Sequence, residues 1–264
     1  MGSEVNGLLR LYKQWGPPPS AELKSSIKLI LKDIFPPIML RAAKSLYRLI
    51  REENNSLKPS KMFGPEWYDT FASHKAYRVH YTESEYYFLW SVIVDRILRD
   101  NISSVLDIGC GSGQLAELLR DKGIKEYHGI DFSPKLIELA KQRGLKFNFT
   151  IADIFQTDIL EKSTYDAVIA TEFFEHIDED IEIISKIRHG TRCYASVPNF
   201  AYPSHLRYFR NSTQVHKRYS IFFRKFQVDP FRANEQGKTY YLFSGIRNKT
   251  TLSFDSTEFK QLHE

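Results

Sequence analysis

SSVLDIGCGSGQ, residues 103–114, reads as a buried strand that runs into a glycine turn and then a helix. Val105, Leu106 and Ile108 make a short apolar run with Asp107 inside it. Gly109, Gly111 and Gly113 follow at two-residue spacing, and Leu115 to Arg120 continues as a helix. A chain that leaves a strand and enters a helix within four residues needs positive φ or a bare backbone surface, and glycine supplies both at low cost. A ligand can then lie against that backbone. An acid at the end of a buried strand is costly unless something outside the strand uses it. Two phosphate-binding patterns are excluded: the dinucleotide fingerprint wants glycine where Gln114 stands, and a phosphate loop wants Gly-Lys-Ser/Thr where Gln114-Leu115 stands.

Downstream, strand and helix patterns alternate. Tyr127–Asp131 is a strand, and Ser133–Arg143 is a helix with Ser133 as N-cap and Pro134 at its first position. Lys146–Ala152 and Tyr165–Thr171 are strands, Asp178–Ile187 a helix and Arg192–Val197 a strand. Such alternation predicts a parallel sheet with right-handed crossovers and ligands at the carboxyl ends of its strands. Phe226–Phe231 and Thr239–Arg247 read as strands around the turn composition Ala233–Gly237, while 202–225 is too polar and irregular to assign. Acids recur at the strand ends. Asp131 closes the second strand 18 residues after Gly113, with Phe132 beside it. A carboxylate there can accept both ribose hydroxyls of a bound nucleoside. Asp153 follows the third strand in Ala152-Asp153-Ile154, with Asp158 as a competitor, and the fourth ends in Thr171-Glu172-Phe173-Phe174-Glu175-His176-Ile177.

Together, the glycine turn and these later acids resemble the class I methyltransferases that use S-adenosylmethionine (SAM), over about Ser103 to Asn199. The resemblance implies an α/β fold: a Rossmann-like, seven-stranded, mostly parallel sheet with a C-terminal antiparallel hairpin and, here, an N-terminal helical extension. It implies that Asp107, Gly109, Gly111 and Gly113 hold the methionine and ribose end of SAM. Asp131 and Phe132 would then hold the ribose and adenine, Asp153 and Ile154 the adenine edge, and Glu172 the methionine amine. Trp67–Arg78 and Glu83–Arg99 read as two helices. Helices ahead of the glycine strand commonly cover the pocket in this family, and Arg78, His80 and Tyr81 are the polar residues best placed to reach it, with Arg78 and Tyr81 assigned to the cofactor. The aromatic stripe around them also reads as core, which is the commoner use of such a stripe. His176 and His205 are the candidate bases, Glu175 also reads as a helix cap, and Pro198-Asn199, Tyr202, His205 and Arg207 would line the acceptor side. No metal is assigned. One branch, the small-RNA terminal 2′-O-methyltransferases, binds a divalent metal with both acids and the histidine of this run plus a distant histidine, for which His205 could serve.

Composition bounds the rest. With 42% hydrophobic residues in 264, the chain can bury a substantial core, and it contains no apolar run near the ~18 residues of a membrane span. With no secretory or myristoylation signal recognised either, a cytoplasmic location is expected, with possible peripheral contact at the inner membrane face. Cys110 and Cys193 are too few for a disulfide framework. The net charge of +5 is segregated: 11 Lys/Arg against 5 acids in residues 1–62, 13 against 22 in 63–187, and 10 against 2 in 188–238. A basic, aromatic-rich stretch beside an acidic half suggests an acceptor carrying negative charge, or an ordinary solvated surface. Residues 1–62 read as a basic helical extension, 63–247 as the methyltransferase domain and 248–264 as a tail. Within the extension, two basic amphipathic helices between residues 20 and 50 could contact an anionic membrane or pack on protein. The leader KDIFPPIMLRAAKSL weakly resembles that of bacterial enzymes of surface polysaccharides. The leading expectation is therefore SAM-dependent O-methylation of an anionic sugar or glycan. RNA methylation and a non-catalytic SAM-binding partner subunit are the alternatives.

Overall fold

The computed structural model describes residues 62–249. All but the last residue of the expected basic extension and all but the first two residues of the expected tail lie outside them. Seven strands form one sheet in the order β3-β2-β1-β4-β5-β7-β6, with β1 Ser104–Ile108, β2 Glu126–Asp131, β3 Asn148–Ile151, β4 Ala167–Thr171, β5 Arg192–Pro198, β6 Phe223–Arg232 and β7 Thr239–Arg247. The first five run parallel, and β7 is antiparallel to both β5 and β6. This is the expected Rossmann-like sheet with its closing hairpin. The order reverses between β1 and β4, so the crevice for a ligand opens beyond the carboxyl ends of those two strands.

Alternation along the strands feeds two cores. Leu106, Ile108, Val168 and Ala170 face one, with α5 Ile159–Lys162, α6 Asp180–Lys186 and α7 Ser212–Tyr219 on that side. Val105, Ala167 and Ile169 face the other, against α2 Tyr87–Arg99, α3 Gln114–Asp121 and α4 Pro134–Gln142. Helix α2 buries Leu89, Trp90, Ile93, Val94 and Ile97, one stripe at helical spacing, and stops where Asn101 turns left-handed at φ 53°. In α4, Ser133 accepts from the Leu136 amide and Pro134 opens the helix.

Two expectations need correction. The helix expected over Trp67–Arg78 is instead α1 Pro65–Asp69 followed by short 3-10 turns, because the backbone is extended at His74 (ψ 136°), and the helix expected over Glu83–Arg99 starts only at Tyr87, after extended backbone at His80 and Ser84 (ψ 150° and 141°). The stretch left unassigned around 202–225 contains α7, capped by Asn211. It shows no hydrophobic stripe in the sequence because only Val215 and Tyr219 are buried.

Candidate active site

The strand ends and the irregular segment 62–86 line a part-open cavity of about 800 Å³. Drug-sized pockets run from ~300 to ~1,000 Å³, so this one has room for a nucleoside-sized molecule and an acceptor together. Its walls include Asp107, Gly109, Gly111, Asp131, Phe132, Asp153, Ile154, Glu172, His176 and His205. The structure thus brings together ten of the expected residues from five strand ends.

Four expected residues, Gly113, Tyr81, Arg78 and His80, lie elsewhere. Gly113 is left-handed and supports packing: a Cβ there would sit 3.0 Å from the Ala140 Cβ, so its bare Cα lets α4 approach. Tyr81 is buried against α3, where its hydroxyl donates to Asp121. Arg78 is exposed and donates to the Ala72 carbonyl, and His80 caps a 3-10 turn. The competing acid Asp158 pairs with Lys162 and stays outside the cavity. Arg207 is also misplaced by the sequence reading. Its guanidinium donates to the carbonyls of Phe174, Ile177 and Asp178 and lies beside Asp180, so it is spent inside the fold. Among the described residues lining the cavity, Lys238 is the only lysine or arginine.

On the glycine side, Asp107 is 2% exposed. One oxygen accepts from the Tyr127 hydroxyl at 2.6 Å and the other, Oδ1, has no partner. Burial pushes this carboxyl up to about 7, against the lowering effect of Tyr127. Such an orphaned acceptor is what a cationic or hydrogen-bond-donating ligand would satisfy. Asp131 is held by the backbone amides of Gly111 (3.0 Å) and Ser133 (2.9 Å), which aim it at the cavity while burial pushes it up to about 6. Gly111 has φ +54° and open space where a Cβ would stand. Asp153 spends its oxygens on the Phe155 amide and the Gln156 side chain, forming the turn that presents Ile154. An unpartnered buried acceptor, a bare backbone turn and a pre-oriented carboxylate fit the amine, the chain and the ribose of SAM. Its expected holders are therefore compatible with it.

At the tip of β4, Glu172 sits left-handed at φ 51°, a strained conformation for a non-glycine residue. Ser196 on β5 fixes it by donating to its carboxylate at 2.8 Å and accepting its amide at 3.0 Å. Glu175 is fully buried and neither oxygen accepts a well-formed hydrogen bond; Oε1 lies 3.7 Å from His176 Nε2, the Glu172 carboxyl is its other neighbour, and Glu179 takes the N-cap position of α6, which sets aside the helix-cap reading. Burial drives both carboxyls well up, and for Glu175 the charge of Glu172 adds to it. The two histidines are wired alike. His176 Nδ1 lies 2.9 Å from the Ser204 carbonyl and His205 Nδ1 lies 3.0 Å from the Phe200 carbonyl. A carbonyl only accepts, so each Nδ1 carries the proton and each Nε2 is left bare. Burial lowers both rings, His205 to about 4, so they are neutral near pH 7. Ligand atoms of Glu175, His176 and His205 all lie within 4.8 Å of one another. Two bare imidazole nitrogens beside an orphaned carboxylate can take a proton or a divalent cation.

Rings connect the two ends of the cavity. Phe132 packs on Tyr68, Tyr68 on His176, His176 on His205, His205 on Phe200, Phe200 on Tyr240, Tyr240 on Tyr86 and Tyr86 on Trp90, each step between 4.9 and 5.8 Å. The buried Trp90 indole N–H has no partner, and Lys238 lies 4.5 Å over Phe200. The sequence offered no signal for Tyr127 or Ser196, which orient the two acids from neighbouring strands. The cavity role of Tyr68, Tyr86 and Trp90 was hidden in an aromatic stripe that also reads as core.

Residues 105–192 match a family described as a methyltransferase domain. Over 103 residues the chain is 32% identical to the ubiquinone biosynthesis O-methyltransferase of Xylella fastidiosa strain 9a5c, covering 36% of this chain and 42% of that one. Over 87 residues it is 34% identical to the malonyl-[acyl-carrier protein] O-methyltransferase of Anoxybacillus flavithermus, covering 32% and 33%. The chain thus spans less than half the length of these curated relatives. Among solved structures, the N-methyltransferase NodS of Bradyrhizobium japonicum, in complex with S-adenosyl-L-homocysteine, superposes with a TM-score of 0.56 at 15% identity, over 70% of this chain and 98% of that one. The [4+2]-cyclase SpnF superposes at 0.54 and 12% identity, over 72% and 99%. These likenesses concern the fold alone, and the two proteins' descriptions name different reactions, so the acceptor must be argued from the site.

Proposed function

We propose that this chain, whose residues 105–192 form a class I methyltransferase domain, transfers the methyl group of SAM to a hydroxyl of a ring-shaped polyol, an acidic sugar of a glycan. SAM supplies an electrophilic methyl group on a sulfonium that leaves as a neutral thioether. Asp107, Gly109, Gly111, Asp131, Phe132 and Ile154 would hold it. The observation that carries the acceptor reading is the continuous line of rings from His205 to Trp90, with the Glu172 carboxyl and the unpartnered Trp90 N–H beside it. Aromatic faces receive the C–H faces of a sugar, and carboxyl and indole groups meet its hydroxyls. Lys238 supports an acid group on that sugar. Either bare Nε2 can take the acceptor proton at neutral pH, since neither ring is charged there. The roof and the aromatic wall exclude water and align the acceptor, which is most of what methyl transfer asks of a protein.

A second reading is favoured by one observation, the convergence of Glu175, His176 and His205. With a divalent cation on these groups, two vicinal hydroxyls could be held and one of them made acidic, as the terminal ribose of an RNA would require. One assay separates the readings: methyl-labelled SAM incubated with glycan, lipid, RNA and protein fractions of a cell extract. Label in acidic glycan supports the first reading. Manganese-dependent label in RNA replaces it with the second, and S-adenosylhomocysteine (SAH) binding without label anywhere leaves a non-catalytic binding subunit.

A further inference from the structure

The roof of the cavity, residues 62–86, supplies Tyr68, Phe71, His74 and Tyr77 to the lining, yet it is thinly packed. Helix α1 buries no residue, and only Ala72 and Tyr81 of the whole segment are buried. Polar tethers from the sheet-side helices hold it down instead. Arg143, at the end of α4, donates from Nη2 to the carbonyls of Tyr77 (3.1 Å) and Val79 (3.2 Å). Its Nε donates to the Ser112 carbonyl inside the glycine turn (2.6 Å), and its Nη1 pairs with Glu117 (2.7 Å). Gln114, at the position where a dinucleotide-binding turn has glycine, donates to the carbonyls of Ala76 (3.1 Å) and Val79 (3.0 Å). At the other end of the roof, Asp69 accepts from the Ser133 hydroxyl (2.5 Å) and the Lys135 amide (3.2 Å), two and four residues beyond Asp131.

These tethers end beside groups expected to hold the methyl donor, while Tyr81 anchors the end of the roof separately on Asp121, so the stretch between is coupled to the donor half. We infer that Arg143 and Asp69 are positioning residues for the donor. Neither lines the cavity, and each holds the roof closed over the glycine turn, so that donor escape requires these bonds to break. Arg143 is suited to this task because a planar guanidinium can bind the turn, the helix and the roof at once, which an ammonium cannot. The inference rests on the donor reading above.

The test uses the full chain with Arg143→Lys, which keeps a charge beside Glu117, and Asp69→Ala, which cuts the independent tether. SAH dissociation is followed by stopped flow, and amide hydrogen exchange is measured in the absence of SAH. Loss of two hydrogen bonds should speed SAH release about tenfold in each variant. Exchange should quicken across residues 74–80 in Arg143→Lys and 66–71 in Asp69→Ala, while β1 and β4 keep wild-type protection. Faster exchange in the roof with unchanged SAH release would overturn the inference, as would roof exchange at the wild-type rate. Faster exchange spread into β1 and β4 with a lowered Tm would reduce both residues to structural supports. Wild-type protein that binds no SAH would instead remove the donor reading itself.

Discussion

Replacing Asp107 by asparagine should make the fold more stable while emptying its donor site. The Asp107 carboxyl is wholly buried with one unpartnered oxygen, and burial raises it from 3.8 to about 7. Because the folded-state pKa lies above the unfolded one, the folded chain binds more protons between about pH 4 and pH 7. Stability contributed by the protonated acid is therefore lost as pH rises through that window, and the loss is complete above about 7. Roughly three pKa units at ~1.36 kcal/mol each put the cost at about 4 kcal/mol at most. Asparagine carries no charge and still offers Tyr127 an acceptor, so it avoids most of that cost. The variant should be about 2–4 kcal/mol more stable at pH 8 and about equal at pH 4. For a domain of this size that corresponds to a Tm rise of roughly 4–16 °C at pH 8. Urea or thermal unfolding from pH 4 to pH 9 measures it, and calorimetry with SAM at pH 8 should show affinity down at least about tenfold. A Tm difference that does not change with pH, or a variant less stable at pH 8, would refute the assignment of a costly buried charge.

Four further outcomes follow from the same geometry. Asp131→Ala should weaken SAH binding by about tenfold or more in calorimetry while Tm stays near wild type, since the carboxylate's partners are two backbone amides at the cavity. Gly129→Ala places a Cβ 2.8 Å from the Cys110 sulfur and 2.9 Å from its Cβ, and should cost about 1–3 kcal/mol in urea unfolding. Arg207→Met should lower stability by about 3 kcal/mol, because Asp180 and three carbonyls lose a buried partner, without raising KM for an acidic acceptor. If a cation sits on the Glu175 cluster, millimolar manganese should raise the wild-type Tm and leave that of Glu175→Ala unchanged.

The sheet and its glycine turn were readable because apolar runs that end in a charge or a glycine have few other uses. Asp107, Asp131, Asp153 and Glu172 stood out for that reason, and the structure places all four on one cavity. The roof was not readable: its aromatic composition suits a helix, and nothing local announces the extended breaks at His74, His80 and Ser84. Charge counting misled at Arg207 and Arg218. Both are consumed by Asp180, whose buried carboxylate needs partners that lie 27 and 38 residues away in the chain. Composition records that a guanidinium exists and says nothing of whether the fold has already used it. The wiring of His176 and His205 was equally hidden, since it depends on backbone carbonyls that any residue could supply.

The two sulfhydryl groups have a practical consequence. Cys110 and Cys193 are the only cysteines in the chain; both are buried, and burial drives both thiols far from ionisation. Alkylating reagents attack thiolates, so maleimide should react slowly with Cys193 in the core and with Cys110 at the cavity wall. A single cysteine introduced at Glu66, which is exposed on α1, should therefore take a fluorophore far faster than either native thiol and report opening of the cavity in real time.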